Sequence, residues 1–255
     1  MNHTNFIMRP FNSTFWLCFI FFAMLLILST LILKNKDIKI RKIIFVSACI
    51  LTLIGFFIYK YFLSIDAEYD KLRSFIGCFN WFGELPLHMC NVNMILMPIA
   101  VLFNNKKLMN ISFYLAPLGA FMALIMPGSG FINASIFEPR MIGYYGTHFM
   151  IMIEGIALVT YDFFKPTIKE IPRTIISTWF LTLGIHLINL AMRYSHLYDR
   201  ANYFYTVETE QNFLLDIFYK FIPIPFLYLS PCVIILGIYM LIVTFPFDLS
   251  NNKRI

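Results

Sequence analysis

Residues 85–103 read LPLHMCNVNMILMPIAVLF, a stretch that is nearly long enough and apolar enough to cross a membrane. Its first part nevertheless holds four polar side chains, those of His88, Cys90, Asn91 and Asn93. Each of these groups costs free energy in hydrocarbon unless it finds a partner. The stretch therefore predicts a membrane-embedded segment, one end of which faces polar surroundings inside the protein.

The composition of the whole chain agrees with a membrane protein. Hydrophobic residues make up 59% of the 255 residues and charged residues only 13%, whereas soluble domains have about 45–50% apolar and about 25% charged residues. We therefore predict an all-α fold, a polytopic bundle of seven transmembrane helices in a single membrane domain, 1–255. Seven apolar runs come near the ~20 residues that span a bilayer, at about 15–33, 43–62, 85–103, 111–127, 142–162, 174–192 and 224–246.

The Lys and Arg residues predict the orientation, because cytoplasmic loops carry an excess of them. More than half of the 20 basic residues lie at 34–42, 106–107, 165–173 and 253–254, on one side of the membrane if the runs alternate in direction. We expect a multi-pass protein of the cell membrane, with the N-terminus outside and the C-terminus in the cytoplasm. The net charge is +6, and the basic residues form short clusters beside helix ends. This placement indicates contact with lipid head groups rather than with nucleic acid.

The two longest connections, 63–84 and 193–223, both fall outside in this topology. Both are rich in aromatic residues, as segments that lie in a membrane interface tend to be. They either anchor the protein at the interface or cover a site.

Polar residues of three runs reach one level in the predicted bundle. At a rise of 1.5 Å per residue, Cys90, His148 and His186 each lie roughly 8–9 Å from the outer ends of their helices. In the predicted helix of residues 85–103, His88 and Asn91 share one face by their i,i+3 spacing, and Cys90 and Asn93 share another. We therefore predict a polar cavity in the outer half of the bundle, with the three side chains converging to within about 10 Å.

The neighbours of the two histidines support the same cavity. Tyr144 and His148 are separated by one helical turn, and so are His186 and Asn189. The asparagines could equally serve as hydrogen-bonding links between helices. Glu154 lies near the middle of its run, where a carboxylate is costly and tends to bind a proton; we regard it as a second, separate candidate.

A cysteine beside a histidine is the minimal set for acyl transfer through a thioester. The imidazole takes the thiol proton, the thiolate attacks an ester carbonyl, and neutral donors hold the oxyanion. In this chain Cys90 is the candidate nucleophile, His148 the base and acid, and His186 with Asn189 the supporting pair. The substrate that suits a membrane cavity is a lipid ester.

A metal site is the chemical rival, since His and Cys side chains at one depth are zinc ligands. These residues lack the i,i+4 spacing of a helical zinc motif, and the five cysteines contain no CxxC pair, so we predict neither a metal nor another cofactor. A transporter usually shows repeated or broken helices around a central site. Pro98, Pro117 and Pro231 permit kinks, but no inverted repeat is visible.

From LPLHMCN onward the chain resembles the bacterial YwaF-type integral membrane family, which is related to the animal transmembrane protein 164 family. The likeness spans most of residues 40–245. It continues through YYGTH (144–148), STWFLTLGIHLINL (177–190) and ANYFY (201–205). The resemblance implies a seven-helix fold and, from the animal members, an acyltransferase that moves a fatty acyl chain from a phospholipid to an ether lysophospholipid.

The resemblance also assigns residues. His148 matches the histidine that acts as the base in the family, and His186 matches a histidine of the following helix. The animal members read Pro-Cys-His, and aligning Pro86 and His88 with this motif places Leu87 where their cysteine stands. Cys90 lies one turn later and, in a helix, on nearly the same side. Either the nucleophile has moved by one turn in this branch, or the protein is not an acyltransferase of that kind.

Two functions of different classes therefore remain. The first is a lipid acyltransferase or hydrolase that uses Cys90 and His148. The second is a non-enzymatic protein that binds or transports a lipid or small molecule in the same polar cavity.

Overall fold

The structure is a computed structural model that describes residues 6–72, 79–210 and 212–252. Cys78 and part of the connection 63–84 lie outside the described residues. The described chain forms nine α-helices and one pair of two-residue strands. The helices are α1 (Ser13–Leu33), α2 (Ile38–Ser64), α3 (Ala67–Leu72), α4 (Asn93–Leu102), α5 (Lys106–Ile125), α6 (Pro139–Thr160), α7 (Ile171–Tyr194), α8 (Phe213–Phe221) and α9 (Ser230–Asn252).

Six helices of the described chain are long and apolar enough to cross a membrane, namely α1, α2, α5, α6, α7 and α9. The protein is therefore an all-α, multi-pass membrane protein. These helices correspond to six of the seven predicted runs. The α-helix of the remaining run, 85–103, is the 10-residue α4.

The difference in this run arises from its polar first half, which forms turns over residues 84–92. The first hydrogen bonds at the start of α4 are donated by the amides of Asn93 and Met94 to the carbonyl oxygens of Cys90 and Asn91. Pro86 has no amide hydrogen to contribute to a helix. The helix faces predicted for His88 with Asn91 and for Cys90 with Asn93 are therefore wrong.

Several helices extend beyond their apolar runs to a polar residue that caps them. The side chains of Asn12, Asp37 and Asn105 accept backbone N–H groups at the starts of α1, α2 and α5. These bonds satisfy amides that have no partner within the helix. Pro139 begins α6, since proline fits a first turn that needs no donor.

The contacts of the chain divide it into two compact units. The first consists of Met1–Pro86 and Cys90–Phe163, and the second of Leu87–Met89 and Phe164–Ile255. Each unit is described by itself below.

Two glycines allow α6 to lie close against its neighbours in the first unit. A Cβ atom on Gly143 would come within 2.3 Å of the Tyr59 ring of α2. A Cβ atom on Gly155 would come within 2.7 Å of Pro117 of α5. The absence of these side chains lets α6 pack tightly between α2 and α5, and His148 and Glu154 lie in this tightly packed helix.

A short two-stranded pair joins the N-terminal residues to the connection between α5 and α6. Strand β1 (Ile7–Met8) is antiparallel to β2 (Ala134–Ser135), with Ile7 opposite Ser135. Next to it, Arg9 Nε donates to Asn133 Oδ1 at 2.7 Å. These bonds hold the segment that precedes α6 in place.

The second unit contains α7, α8 and α9. Its core is formed by Leu215 of α8 with Tyr228 and Leu229, and partly buried side chains pack around it: Trp179, Phe218, Ile222 and Cys232. Helix α9 begins at Ser230, later than the run at 224–246 predicts. Phe226 just before it has a φ of 65°, which an α-helix does not accommodate.

Candidate active site

Cys90 lies in the turn that leads into α4, and its side chain is buried, with 7% of the residue exposed. The turn leaves the thiol beside backbone amides: the N–H groups of Cys90 and Asn91 both lie close to Sγ. Such amides favour negative charge on a neighbouring atom, as the first N–H groups of a helix do.

His148 lies in the middle of α6, and its ring is oriented by the backbone of the same helix. Its Nδ1 atom is 2.7 Å from the carbonyl oxygen of Tyr144, one turn earlier. Because a carbonyl oxygen only accepts hydrogen bonds, Nδ1 must carry the proton of the bond. The neutral imidazole therefore has an unprotonated Nε2, which is the form that acts as a base.

The thiol and the imidazole are in contact. Cys90 Sγ lies 3.5 Å from His148 Nε2, and it lies 3.4 Å from Oδ1 of Asn91. The thiol has a single proton to share between these two acceptors. Because the sulfur is buried, a free thiolate is disfavoured. The thiol can therefore act as a nucleophile only if a nearby base such as His148 takes its proton.

Aromatic packing holds the imidazole in this position. The centre of the Tyr144 ring lies 4.4 Å from that of the His148 ring. The Phe131 ring stacks on the Tyr144 ring, with the ring centres 4.2 Å apart. The Tyr144 hydroxyl donates to the carbonyl oxygen of Ala123 at 2.8 Å. The ring beside the base is therefore fixed from α5 and from the connection that follows it.

Two buried asparagines belong to the same region of the first unit. Asn91 adjoins the sulfur, and Asn93 at the start of α4 is fully buried. An amide side chain is a neutral donor of the kind that stabilises a developing oxyanion.

An ion pair that the sequence analysis did not identify also lies in the first unit. Lys60 Nζ is 2.6 Å from Glu84 Oε2, and the two side chains are each only 11% exposed. The sequence could have pointed to this pair, because Lys60 is a charged residue within the second apolar run.

A second polar cluster lies in the second unit. His186 Nδ1 is 3.1 Å from the hydroxyl of Thr206, and Asn189 Nδ2 donates to the same hydroxyl at 2.9 Å. The Asn189 amide also exchanges two hydrogen bonds with the backbone of Tyr203. These bonds join α7 to the turn Tyr203–Tyr205, in which Phe204 and Tyr205 have positive φ angles.

His88 contributes to this second cluster. Its ring lies 4.9 Å from the ring of Tyr203 and 6.2 Å from that of Tyr205. Within the second unit the structure thus brings together His88, His186 and Asn189. The predicted convergence of His186 with Cys90 and His148 stays a prediction.

Glu154 lies in α6 away from the cysteine–histidine pair. The side-chain partner of its Oε1 atom is Thr52 of α2, at 2.6 Å. Among the described residues, no group of three or more His, Cys, Asp or Glu side chains is arranged to hold a metal ion.

A comparison with protein families gives one match that covers most of the chain. The model of the TMEM164 family matches residues 8–244. No curated protein and no solved structure gives a significant match.

Proposed function

This chain belongs to the TMEM164 family, and from that premise we propose that it is a membrane acyltransferase that uses Cys90 and His148 on a lipid ester. The observation that carries the proposal is the contact of the Cys90 thiol with the unprotonated Nε2 of His148. A nucleophile and a base within reach, with the base oriented by a third group, form the arrangement on which covalent acyl transfer depends.

In the first half-reaction, His148 Nε2 takes the proton of the thiol while the sulfur attacks the ester carbonyl of the donor lipid. The carbon–oxygen bond of the tetrahedral intermediate then breaks. The lysolipid leaves as an alcohol with the proton from His148, and the acyl chain remains on Cys90 as a thioester.

In the second half-reaction, the hydroxyl of an acceptor lysolipid gives its proton to Nε2 and attacks the thioester carbonyl. The carbon–sulfur bond breaks, and Cys90 regains its proton from His148. Water in place of the acceptor makes the same residues a lipid hydrolase, so exclusion of water from the buried thiol favours transfer.

The oxyanion of each intermediate forms beside the sulfur. We assign the backbone N–H groups of Cys90 and Asn91 as donors there, and we assign Asn93 to the same pocket. Donors that are already in place stabilise this charge without reorganisation at the moment of reaction.

The position of the nucleophile differs from the Pro-Cys-His motif of the animal members. This chain has Leu87 at the aligned position, and Leu87 carries no thiol. Since residues 84–92 form turns, the location of Cys90 is not set by helical spacing. The contact with His148 is the reason for assigning the nucleophile to Cys90.

We place the pair in the outer half of a seven-pass protein of the cell membrane, with the N-terminus outside and the C-terminus in the cytoplasm. Residues 85–103 then cross as turns followed by α4 rather than as one long helix. Tyr144 orients the base. A role of His88, His186 and Asn189 of the second unit in binding the lipid stays a prediction.

The test is direct detection of the acyl-enzyme. The full-length protein in phospholipid vesicles receives a phospholipid with a labelled acyl chain, and label on the protein is measured before and after hydroxylamine. We expect hydroxylamine-labile label on Cys90, its loss in Cys90→Ala, and its retention in the control variants Cys18→Ala and Cys232→Ala. Retention of acyl transfer by a folded Cys90→Ala protein would exclude the mechanism.

The alternative function gives a different result in the same experiment. A protein that only binds or transports a lipid acquires no covalent label, and Cys90→Ala then leaves lipid binding nearly unchanged. His148→Ala would act only on the affinity.

A further inference from the structure

Glu154 is a buried carboxyl group that the cysteine–histidine chemistry does not use. It lies in α6, six residues after His148, and only 3% of it is exposed. The groups that contact it belong to the first unit. An unpaired carboxylate at such a site is strongly disfavoured, because burial removes the water that stabilises its charge.

The two contacts of the Thr52 hydroxyl limit where the proton between Thr52 and Glu154 can lie. The Thr52 hydroxyl is 3.0 Å from the carbonyl oxygen of Ala48 and 2.6 Å from Oε1 of Glu154. A hydroxyl has one proton, and the backbone carbonyl can only accept. If Thr52 donates to Ala48, the short contact with Glu154 requires a proton from the carboxyl group.

The second carboxyl oxygen leads to the same conclusion. Glu154 Oε2 is fully buried and has no oxygen or nitrogen donor among the described residues; the Cys49 thiol, a weak donor, is the further group that can hydrogen-bond to the carboxyl. An ionised carboxylate would leave half of its charge on an atom with at most this weak donor, whereas the carbonyl oxygen of a neutral acid costs much less.

Among the residues that the structure describes, no positively charged side chain acts on the carboxyl group to stabilise an ionised form. The titratable side chains that act on it are Cys49 of α2 and Tyr161 at the end of α6, and both are neutral acids. Tyr161 is occupied by a hydrogen bond from its hydroxyl to Ser29 of α1. Helix α4 has no titratable residue, and Tyr114 is the one titratable side chain of α5 apart from the two lysines at its start.

From these contacts we infer that Glu154 and Thr52 form a buried proton-binding site between α2 and α6, in which Glu154 is a neutral carboxylic acid at pH 7. The acid donates through Oε1 to Thr52, and Thr52 donates to Ala48 of its own helix. The ligand of the site is the proton itself. The Glu154–Thr52 site is separate from the proposed acyl-transfer site. Through this site, the contact between α2 and α6 depends on protonation of Glu154.

Infrared spectroscopy tests this inference on the full-length protein in lipid vesicles. The spectrum of Glu154→Gln is subtracted from that of the wild type at pH 7. We expect the loss of a carbonyl-stretching band of a protonated carboxylic acid, without loss of a carboxylate band. Loss of a carboxylate band instead would overturn the inference.

Two further variants make the assignment specific. Asp162→Asn removes an exposed carboxylate that pairs with Arg41, so its difference spectrum should show carboxylate bands only. Thr52→Val removes the hydroxyl that accepts the proton of the acid, so the band of Glu154 should move to higher frequency. An unmoved band would contradict the hydrogen bond from Glu154 to Thr52.

Discussion

The Sγ atom of Cys90 lies 3.5 Å from Nε2 of His148, although 58 positions separate the two residues in the chain. The bond from His148 Nδ1 to the Tyr144 carbonyl puts the ring proton on Nδ1, so that Nε2 of the neutral imidazole is an acceptor for the thiol proton. Both residues belong to the first unit. The proposed reactivity therefore depends on the local structure of a turn and a helix.

Replacement of the base should suppress both half-reactions. We expect His148→Ala to lower turnover by about 10²–10⁴-fold, the usual contribution of general acid–base catalysis. It should also slow the reaction of Cys90 with thiol-directed reagents. His196→Ala is the matched control, because His196 is exposed and pairs with the exposed Asp199. Equal rates in both variants would remove His148 from the mechanism.

The ring of Tyr144 should matter more than its hydroxyl. Tyr144→Phe loses the hydrogen bond to Ala123 and should cost about 1 kcal/mol of stability. Tyr144→Leu also loses the ring that packs against His148, so labelling of Cys90 should decrease further. Labelling rates and thermal unfolding of the two variants distinguish the effects. If the two variants label at the same rate, the ring does not orient the base.

The close packing of α6 against α2 should depend on Gly143. Gly143→Ala places a Cβ atom 2.3 Å from the Tyr59 ring, and we expect a loss of about 1–3 kcal/mol from overpacking. Gly146→Ala is the control in the same helix, since its Cβ meets nothing within 4 Å and should leave stability unchanged or slightly raised. Thermal unfolding in detergent gives both values. A tolerated Gly143→Ala would contradict this packing.

Removal of one partner of the Lys60–Glu84 ion pair should be strongly destabilising, because both side chains are nearly buried. Lys60→Met leaves the carboxylate of Glu84 without its cation, which typically costs about 3–5 kcal/mol. The double variant with Glu84→Gln should recover much of this loss. Arg173→Met breaks an exposed pair with Glu170 and should cost less than about 1 kcal/mol. Equal losses of stability in Lys60→Met and Arg173→Met would contradict the expected effect of burial on the two ion pairs.

The proposed orientation places the C-terminus in the cytoplasm. A tag added after Ile255 should be resistant to protease in intact cells and be cleaved after the membrane is opened. A tag inserted into the connection that contains residues 203–205 should show the opposite pattern. Cleavage of the C-terminal tag in intact cells would reverse the topology.

The site could be predicted in part because its residue types are unusual in apolar surroundings. The apolar runs and the isolated Cys90, His148 and Glu154 are visible in the sequence. The depth of Cys90 was predicted from a helix over residues 85–103, whereas the helix begins only at Asn93. The ion pair of Lys60 with Glu84 was not predicted, because the sequence does not tell which acid a buried lysine meets.

The sequence by itself determined that this is a helical membrane protein, since the length and apolar character of its runs follow from the thickness and low polarity of a bilayer. It also limited the chemistry to a few polar residues, because each must be matched by a partner in hydrocarbon. Only the tertiary structure decided the partners: His148 for Cys90, Thr52 for Glu154, and Thr206 for His186. Such contacts depend on how turns end and how closely helices pack, which are properties of the folded chain rather than of any local pattern.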